Sequence, residues 1–162
     1  MSQTTDPALS ALYIDGRQSA VALDIARGTL RALRSLGFAG TTELTLPNGR
    51  RADIMAVDRA GEIWIVEIKS SIEDFRADQK WPDYGAYCDR LLFAVAPDFP
   101  SAILPEHTGL VIADRFGAEI VRQAPLEPMP AARRKAMLIA IARSASLRLQ
   151  TALDPESATV DV

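Results

Sequence analysis

Between residues 19 and 36 apolar side chains recur at helical spacing. Leu23, Ala26, Leu30 and Leu33 form one stripe, widened by Val21, Ile25 and Leu36, and Gly37 stands where a helix commonly stops. The period then changes to two. Residues 41–46 alternate, Pro47-Asn48-Gly49-Arg50 carries an Asn-Gly turn signal, residues 51–58 alternate again, and Arg59-Ala60-Gly61 leads into a third strand over 62–69. These strands read as an antiparallel meander. Ile63-Trp64-Ile65-Val66 is apolar on both faces, so the third strand should be central and covered on both sides at that end. A second helix should begin after Ser70 or Ser71, since Ser70-x-x-Glu73 fits a capping box, and Pro82 should kink or restart it. A buried strand over 90–96 follows. Residues 110–113 and 118–121 read as a hairpin around Arg115-Phe116-Gly117, and residues 131–149 as a final helix with Leu138, Ile141, Ala145 and Leu149 toward the core. The order αβββαβββα predicts an α/β domain with a mixed central sheet flanked by helices.

Composition narrows the class. The chain has 162 residues, 48% of them hydrophobic, with 18 Lys and Arg against 21 Asp and Glu, a net charge of −3. A chain of this size buries roughly 70% of its unfolded surface, so no metal or disulfide is needed merely to hold it together. We expect one domain over 19–150 between mobile segments at 1–18 and 151–162. Cys88 is the only cysteine, and the polar start Met1-Ser2-Gln3-Thr4-Thr5-Asp6-Pro7 lacks the regions of a signal peptide, which points to a reducing cytoplasm. The apolar runs fall short of the ~18 residues of a membrane span, so no membrane partner is expected. The slight acidity argues against a general affinity for nucleic acid and makes the distribution of charge decisive.

Chemistry concentrates on the hairpin between Arg51 and Lys69. A three-residue loop with Gly61 in the left-handed position pairs Asp58 with Glu62, Val57 with Ile63, Met55 with Ile65 and Asp53 with Glu67. Directly opposed residues have Cβ atoms ~5 Å apart. At an effective dielectric of ~20 two carboxylates there repel by about 3 kcal/mol, which calls for a cation or a shared proton. Lys69, two positions beyond Glu67, shares the face. Oxygen ligands from Asp53 and Glu67 suit Mg²⁺ or Mn²⁺, with the backbone carbonyl of Ile68 a further ligand. The set is what metal-assisted phosphodiester hydrolysis requires: a cation to polarise phosphate and acidify water, and an ammonium to orient that water or neutralise developing charge. A Glu and a Lys two apart on a strand also make an ordinary surface ion pair; the adjacent antiparallel strands and the apolar far end of the third strand favour the chemical reading.

Arg27, Arg31 and Arg34 form a row about 10 Å long on the polar face of the first helix, either a solvated face or a phosphate-tracking stripe. Arg133-Arg134-Lys135 opens the last helix as a second candidate phosphate contact. Residues 70–121 hold four basic and nine acidic residues, so nucleic acid should approach from elsewhere. Cys88 reads as an inert packing residue, and His107 stands without a second His or Cys to share a ligand.

Ala52-Asp53 followed by Glu67-Ile68-Lys69, on strands after a first helix, resembles the PD-(D/E)XK or restriction-endonuclease-like nuclease superfamily. More narrowly, Arg51-Ala52-Asp53-Ile54-Met55-Ala56, Trp64-Ile65-Val66-Glu67-Ile68-Lys69-Ser70-Ser71, Asp74-Phe75-Arg76-Ala77-Asp78, Lys80-Trp81-Pro82, Tyr87-Cys88-Asp89-Arg90 and Phe93-Ala94-Val95-Ala96-Pro97 resemble the MmcB family of DNA repair endonucleases. The resemblance covers roughly residues 17–150 and is most specific over 51–97. It implies a restriction-endonuclease-like core, Asp53 and Glu67 as metal ligands, Lys69 as the catalytic lysine, and Mg²⁺-dependent cleavage of DNA in repair. Ala52 replaces the motif's proline, a backbone position without a chemical role. The superfamily often adds an acid from near the first helix, and Glu43 is the nearest match. A Gln-x-x-x-Tyr element common in the superfamily is not reproduced: Gln79 and Tyr84 are one residue too far apart, and Lys80 and Tyr84 stand at helical spacing, candidates with Tyr87 for the substrate groove. The alternative from another class is an inactive nuclease-fold module that binds DNA or recruits a repair partner.

Overall fold

The computed structural model describes residues 19–159, the side chains of 158 and 159 excepted. The expected mobile segment at 1–18 and the end of the tail at 160–162 lie outside the described residues. Helix α1 (Ala20–Ser35) is followed by strands β1 (Ala39–Thr45), β2 (Arg51–Val57) and β3 (Ile63–Ile68). Next come the short helix α2 (Ile72–Ala77), a 3₁₀ helix over Trp81–Tyr87, and β4 (Arg90–Val95). A 3₁₀ turn over Ser101–Ile103 leads to β5 (Gly109–Ala113), β6 (Ala118–Arg122), α3 (Ala131–Leu153) and a last 3₁₀ helix over Pro155–Thr159. The six strands form one sheet in the order β1-β2-β3-β4-β5-β6. The meander β1-β2-β3 is antiparallel, β3-β4 and β4-β5 are parallel, and β5-β6 is an antiparallel hairpin, so the sheet is mixed.

Hydrophobic placement explains the layers. Ile54, Ala56, Trp64, Val66 and Ile68 on one face of the meander pack with Leu92, Ala94 and Val111 against Ile25, Ala26 and Leu33 of α1. Met55, Ile63 and Ile65 on the other face pack with Tyr84, Cys88, Met129 and Met137. All six residues of β3 are buried, as a strand apolar on both faces requires.

Three sequence expectations need correction. The buried face of α1 is Ile25, Ala26, Gly28, Thr29 and Leu33, whereas Val21 and Leu36 are 46% and 55% exposed. Gly28 belongs inside because α1 crosses the β5–β6 hairpin so closely that a Cβ there would lie 1.8 Å from the carbonyl oxygen of Asp114. The second helix takes the later of its two expected starts, but its cap is Ser71-x-x-Asp74 and not Ser70-x-x-Glu73: Ser71 accepts from the Asp74 N–H, and the Asp74 carboxylate accepts from the Ser70 N–H. An aspartate reaching back does the work expected of Glu73. Finally, α3 runs to Leu153, with Met137 its one buried residue among those described, and Leu149, expected in the core, is 61% exposed.

Candidate active site

The β2–β3 hairpin sets the geometry. Asp58 accepts from the N–H groups of Ala60 and Glu62, and Gly61 at φ +87° closes the loop, a backbone state that a residue with a Cβ adopts only under strain. The register follows: Val57 faces Ile63, Met55 faces Ile65 and Ile54 faces Val66. At the next position, where Asp53 meets Glu67, side chains replace the backbone ladder. The Asp53 N–H donates to Glu67 Oε1 at 3.1 Å, and the Ile68 N–H donates to Asp53 Oδ2 at 2.8 Å. The two carboxylates are therefore interlocked side by side. Glu67 is 3% exposed.

Both acids are uncomfortable as anions. Burial raises the Asp53 carboxyl to about 6, against the pull of the Ile68 N–H and Lys69. Burial, reinforced by the Asp53 charge, lifts Glu67 well above the usual carboxylate range. Lys69, 4% exposed, lies directly after β3, its N–H held by the carbonyl of Ala94 at 3.0 Å. Its ammonium sits 2.6 Å from Asp78 Oδ2. Burial works to discharge it, but the Asp78 hydrogen bond and charge hold its pKa above the ordinary lysine value.

These groups open onto a cleft of about 700 Å³ lined by Asp53, Glu67, Ile68, Lys69, Lys80 and Tyr84 among others. One wall is the β1–β2 turn. Arg50 pairs with Asp83 at 2.6 Å and the Tyr84 hydroxyl donates to the Arg51 carbonyl at 3.1 Å, which ties that turn to the 3₁₀ helix. The N-terminal end of α1 closes another side with Ser19 and Ala22.

The structure thus gathers Asp53, Glu67, Ile68, Lys69, Lys80 and Tyr84. Glu43 is not among the lining residues; its carboxylate lies 3.5 Å from Arg51, which is, and near enough to Asp53 to oppose its ionisation. It is the described non-glycine residue in the left-handed region, at φ +53°. The arginine row is not gathered in: Arg27, Arg31 and Arg34 are exposed on the turns of α1 that lead away from Ser19 and Ala22, and Arg31 donates to the carbonyls of Arg115 and Phe116. The basic start of α3 also turns to structural use. Arg134 forks the buried Asp89 carboxylate at 2.5 and 2.6 Å, and Arg133 donates to the Ala86 carbonyl and lies over the Tyr87 ring. Cys88 is buried, its thiol pushed up to about 12 by burial, which leaves it unreactive. Asp78 escaped the sequence reading as a site residue. In the sequence it reads only as an acid that ends a short helix.

The donor set fits a hard divalent cation, since a half-buried and a buried carboxylate that repel each other are relieved by a positive charge between them. Among the described residues no cluster of three or more His, Cys, Asp or Glu side chains has metal-binding geometry, so the backbone and water would complete the shell.

The chain matches the MmcB-like DNA repair protein family over residues 10–156. Among solved structures it is similar to the SPO1766 protein of unknown function from Silicibacter pomeroyi, with a TM-score of 0.83 and 44% identity, over 86% of this chain and 95% of that one. No curated protein matches it.

Proposed function

Because the chain belongs to the MmcB-like DNA repair protein family, we propose that it is a metal-dependent DNA endonuclease acting in repair, with a PD-(D/E)XK site on a restriction-endonuclease-like core. One observation carries the reading: half-buried Asp53 and buried Glu67 interlock on neighbouring antiparallel strands and line a cleft, with the Lys69 ammonium on the same face. Asp53, Glu67 and the Ile68 carbonyl would hold Mg²⁺ or Mn²⁺, with Glu43, beside Arg51, as a further candidate. The ion, when bound, supplies a Lewis acid for the phosphate and lowers the pKa of an attached water.

The chain's own residues do the rest. Asp53 and Glu67 fix each other through backbone donors, so their oxygens need little reorganisation. Lys69 keeps its proton and presents a positive charge where a phosphate's charge would develop or a water would be oriented. Lys80 and Tyr84 flank the cleft and would meet the strand near the cut; Arg27, Arg31 and Arg34 would meet phosphates farther out along α1. No helix of the described residues is long and apolar enough to cross a membrane; the cytoplasmic setting of the proposal rests on the sequence reading of a lone Cys88.

The test is incubation of the purified chain with single-stranded, duplex and branched DNA, with and without Mg²⁺ or Mn²⁺. Metal-dependent products that vanish in Asp53→Ala, Glu67→Ala and Lys69→Ala are expected. Retention of DNA in a gel without any product would make the protein a non-cleaving binding module instead.

A further inference from the structure

Lys69 has two sets of acids within reach. On its own face lie Asp53 and Glu67, both raised in pKa and both drawn down by the lysine's charge. On the other side lies Asp78, which takes the ammonium at 2.6 Å, while the charge of Asp74, whose carboxylate already accepts from the Ser70 N–H, also acts on Lys69. A lysine stem is flexible and its ammonium seeks charge, so without a fixed anchor it would fall onto the carboxylate pair and fill the place of a cation.

Asp78 is built as that anchor. Its own N–H is held by the carbonyls of Asp74 and Phe75 at the end of α2. Its Oδ1 accepts from the Lys80 N–H at 2.9 Å, which leaves Oδ2 for Lys69. The Lys69 and Asp78 side chains are 5% and 18% exposed, so water competes weakly. Lys69 is thus pinned at both ends, by its N–H on Ala94 and its ammonium on Asp78.

We propose that Asp78 is a positioning residue that holds Lys69 beside, and off, the Asp53–Glu67 pair, keeping that pair open to a divalent cation. The inference rests on the metal-site reading above, and its test separates the two. The chain contains three lysines, Lys69, Lys80 and Lys135, the last two exposed, so a slowly exchanging ammonium signal in a ¹H–¹⁵N spectrum can be assigned to Lys69 with Lys69→Arg. The same samples are titrated with Mn²⁺ alone.

The wild type should show one such signal and Asp78→Asn should lose it. Mn²⁺ affinity should fall about tenfold or more in Asp78→Asn, a modest share of what an ammonium against two carboxylates can exert at ~20 dielectric, and should return in Asp78→Asn/Lys69→Met. That recovery is something a merely structural aspartate would not give. A retained signal in Asp78→Asn, an Mn²⁺ affinity within twofold of wild type, or a double variant as weak as the single one would each overturn the proposal. Wild-type protein that binds no Mn²⁺ would overturn the metal-site reading, while the ammonium signal still decides whether Asp78 anchors Lys69. Should Asp78→Asn fail to fold, Asp78→Ser, whose hydroxyl can still accept from the Lys80 N–H, takes its place with the same outcomes.

Discussion

Replacing Asp53 by Asn should stabilise the metal-free protein, and the gain should depend on pH. The perturbation is small in shape: the amide oxygen can still accept from the Ile68 N–H, as Asp53 Oδ2 does at 2.8 Å. What disappears is a half-buried negative charge beside Glu67. Burial, the leading cause, raises Asp53 from 3.8 to about 6, and at 1.36 kcal/mol per unit that corresponds to about 3 kcal/mol against the ionised folded state. A carboxyl whose pKa is higher folded than unfolded binds more protons in the native state. Its destabilisation is therefore absent below pH 3.8, grows between 3.8 and about 6, and is complete above that.

The assay is thermal unfolding of wild type and Asp53→Asn in chelator at several pH values from 4.5 to 8, then with Mn²⁺ at pH 7.5. At roughly 2–4 °C per kcal/mol for this size of chain, the variant should melt about 6–12 °C higher at pH 7.5, with the difference shrinking toward pH 4.5. Mn²⁺ should raise the wild-type midpoint at pH 7.5 and leave the variant nearly unmoved, since a ligand that binds only the folded site stabilises it by mass action. A difference that does not grow with pH, or a variant that keeps the metal shift, would refute the claim that the two acids form a charge-strained cation site.

Lys69→Met should leave gel-shift affinity for DNA within a few-fold while cutting single-turnover cleavage by roughly 10²–10³, the usual loss when one preorganised electrostatic group is removed. Lys80→Gln should flatten the slope of log K against log salt for duplex binding by about 0.9, the signature of one lost phosphate contact. Arg31→Gln, by contrast, should lower the melting midpoint, because its guanidinium serves the carbonyls of Arg115 and Phe116; a normal midpoint with a flatter salt slope would return it to the DNA. Gly28→Ala should cost about 3 kcal/mol by urea unfolding, since the new methyl meets backbone oxygens of Asp114 and Gly117 that cannot step aside.

Much of the site was legible because it rests on local rules. Loop length and Gly61 fix the β2–β3 register, register fixes which residues share a face, and the meeting of Asp53 and Glu67 follows without any long-range information. Strand β3 was legible for the same reason: an unbroken apolar run has only the centre of a sheet to occupy. What periodicity could not supply was the choice among partners. Arg31 and Arg34 stand one turn apart on the same helix, yet the β5–β6 hairpin happens to bring carbonyls to Arg31, and no pattern within α1 announces a strand pair more than eighty residues away. Arg134 looks on paper like its neighbours Arg133 and Lys135, but Asp89 is buried opposite it and takes its fork. Asp78 is the instructive case. Its sequence context says only that an acid ends a short helix; its function comes from Lys69 arriving from β3 with a charge that must go somewhere. Within the candidate site, the two acids and the lysine that come together could be read from type and spacing. The groups that keep them from neutralising one another are set by tertiary contact, and they emerge only when the question put to each buried charge is which of its possible partners it has been denied.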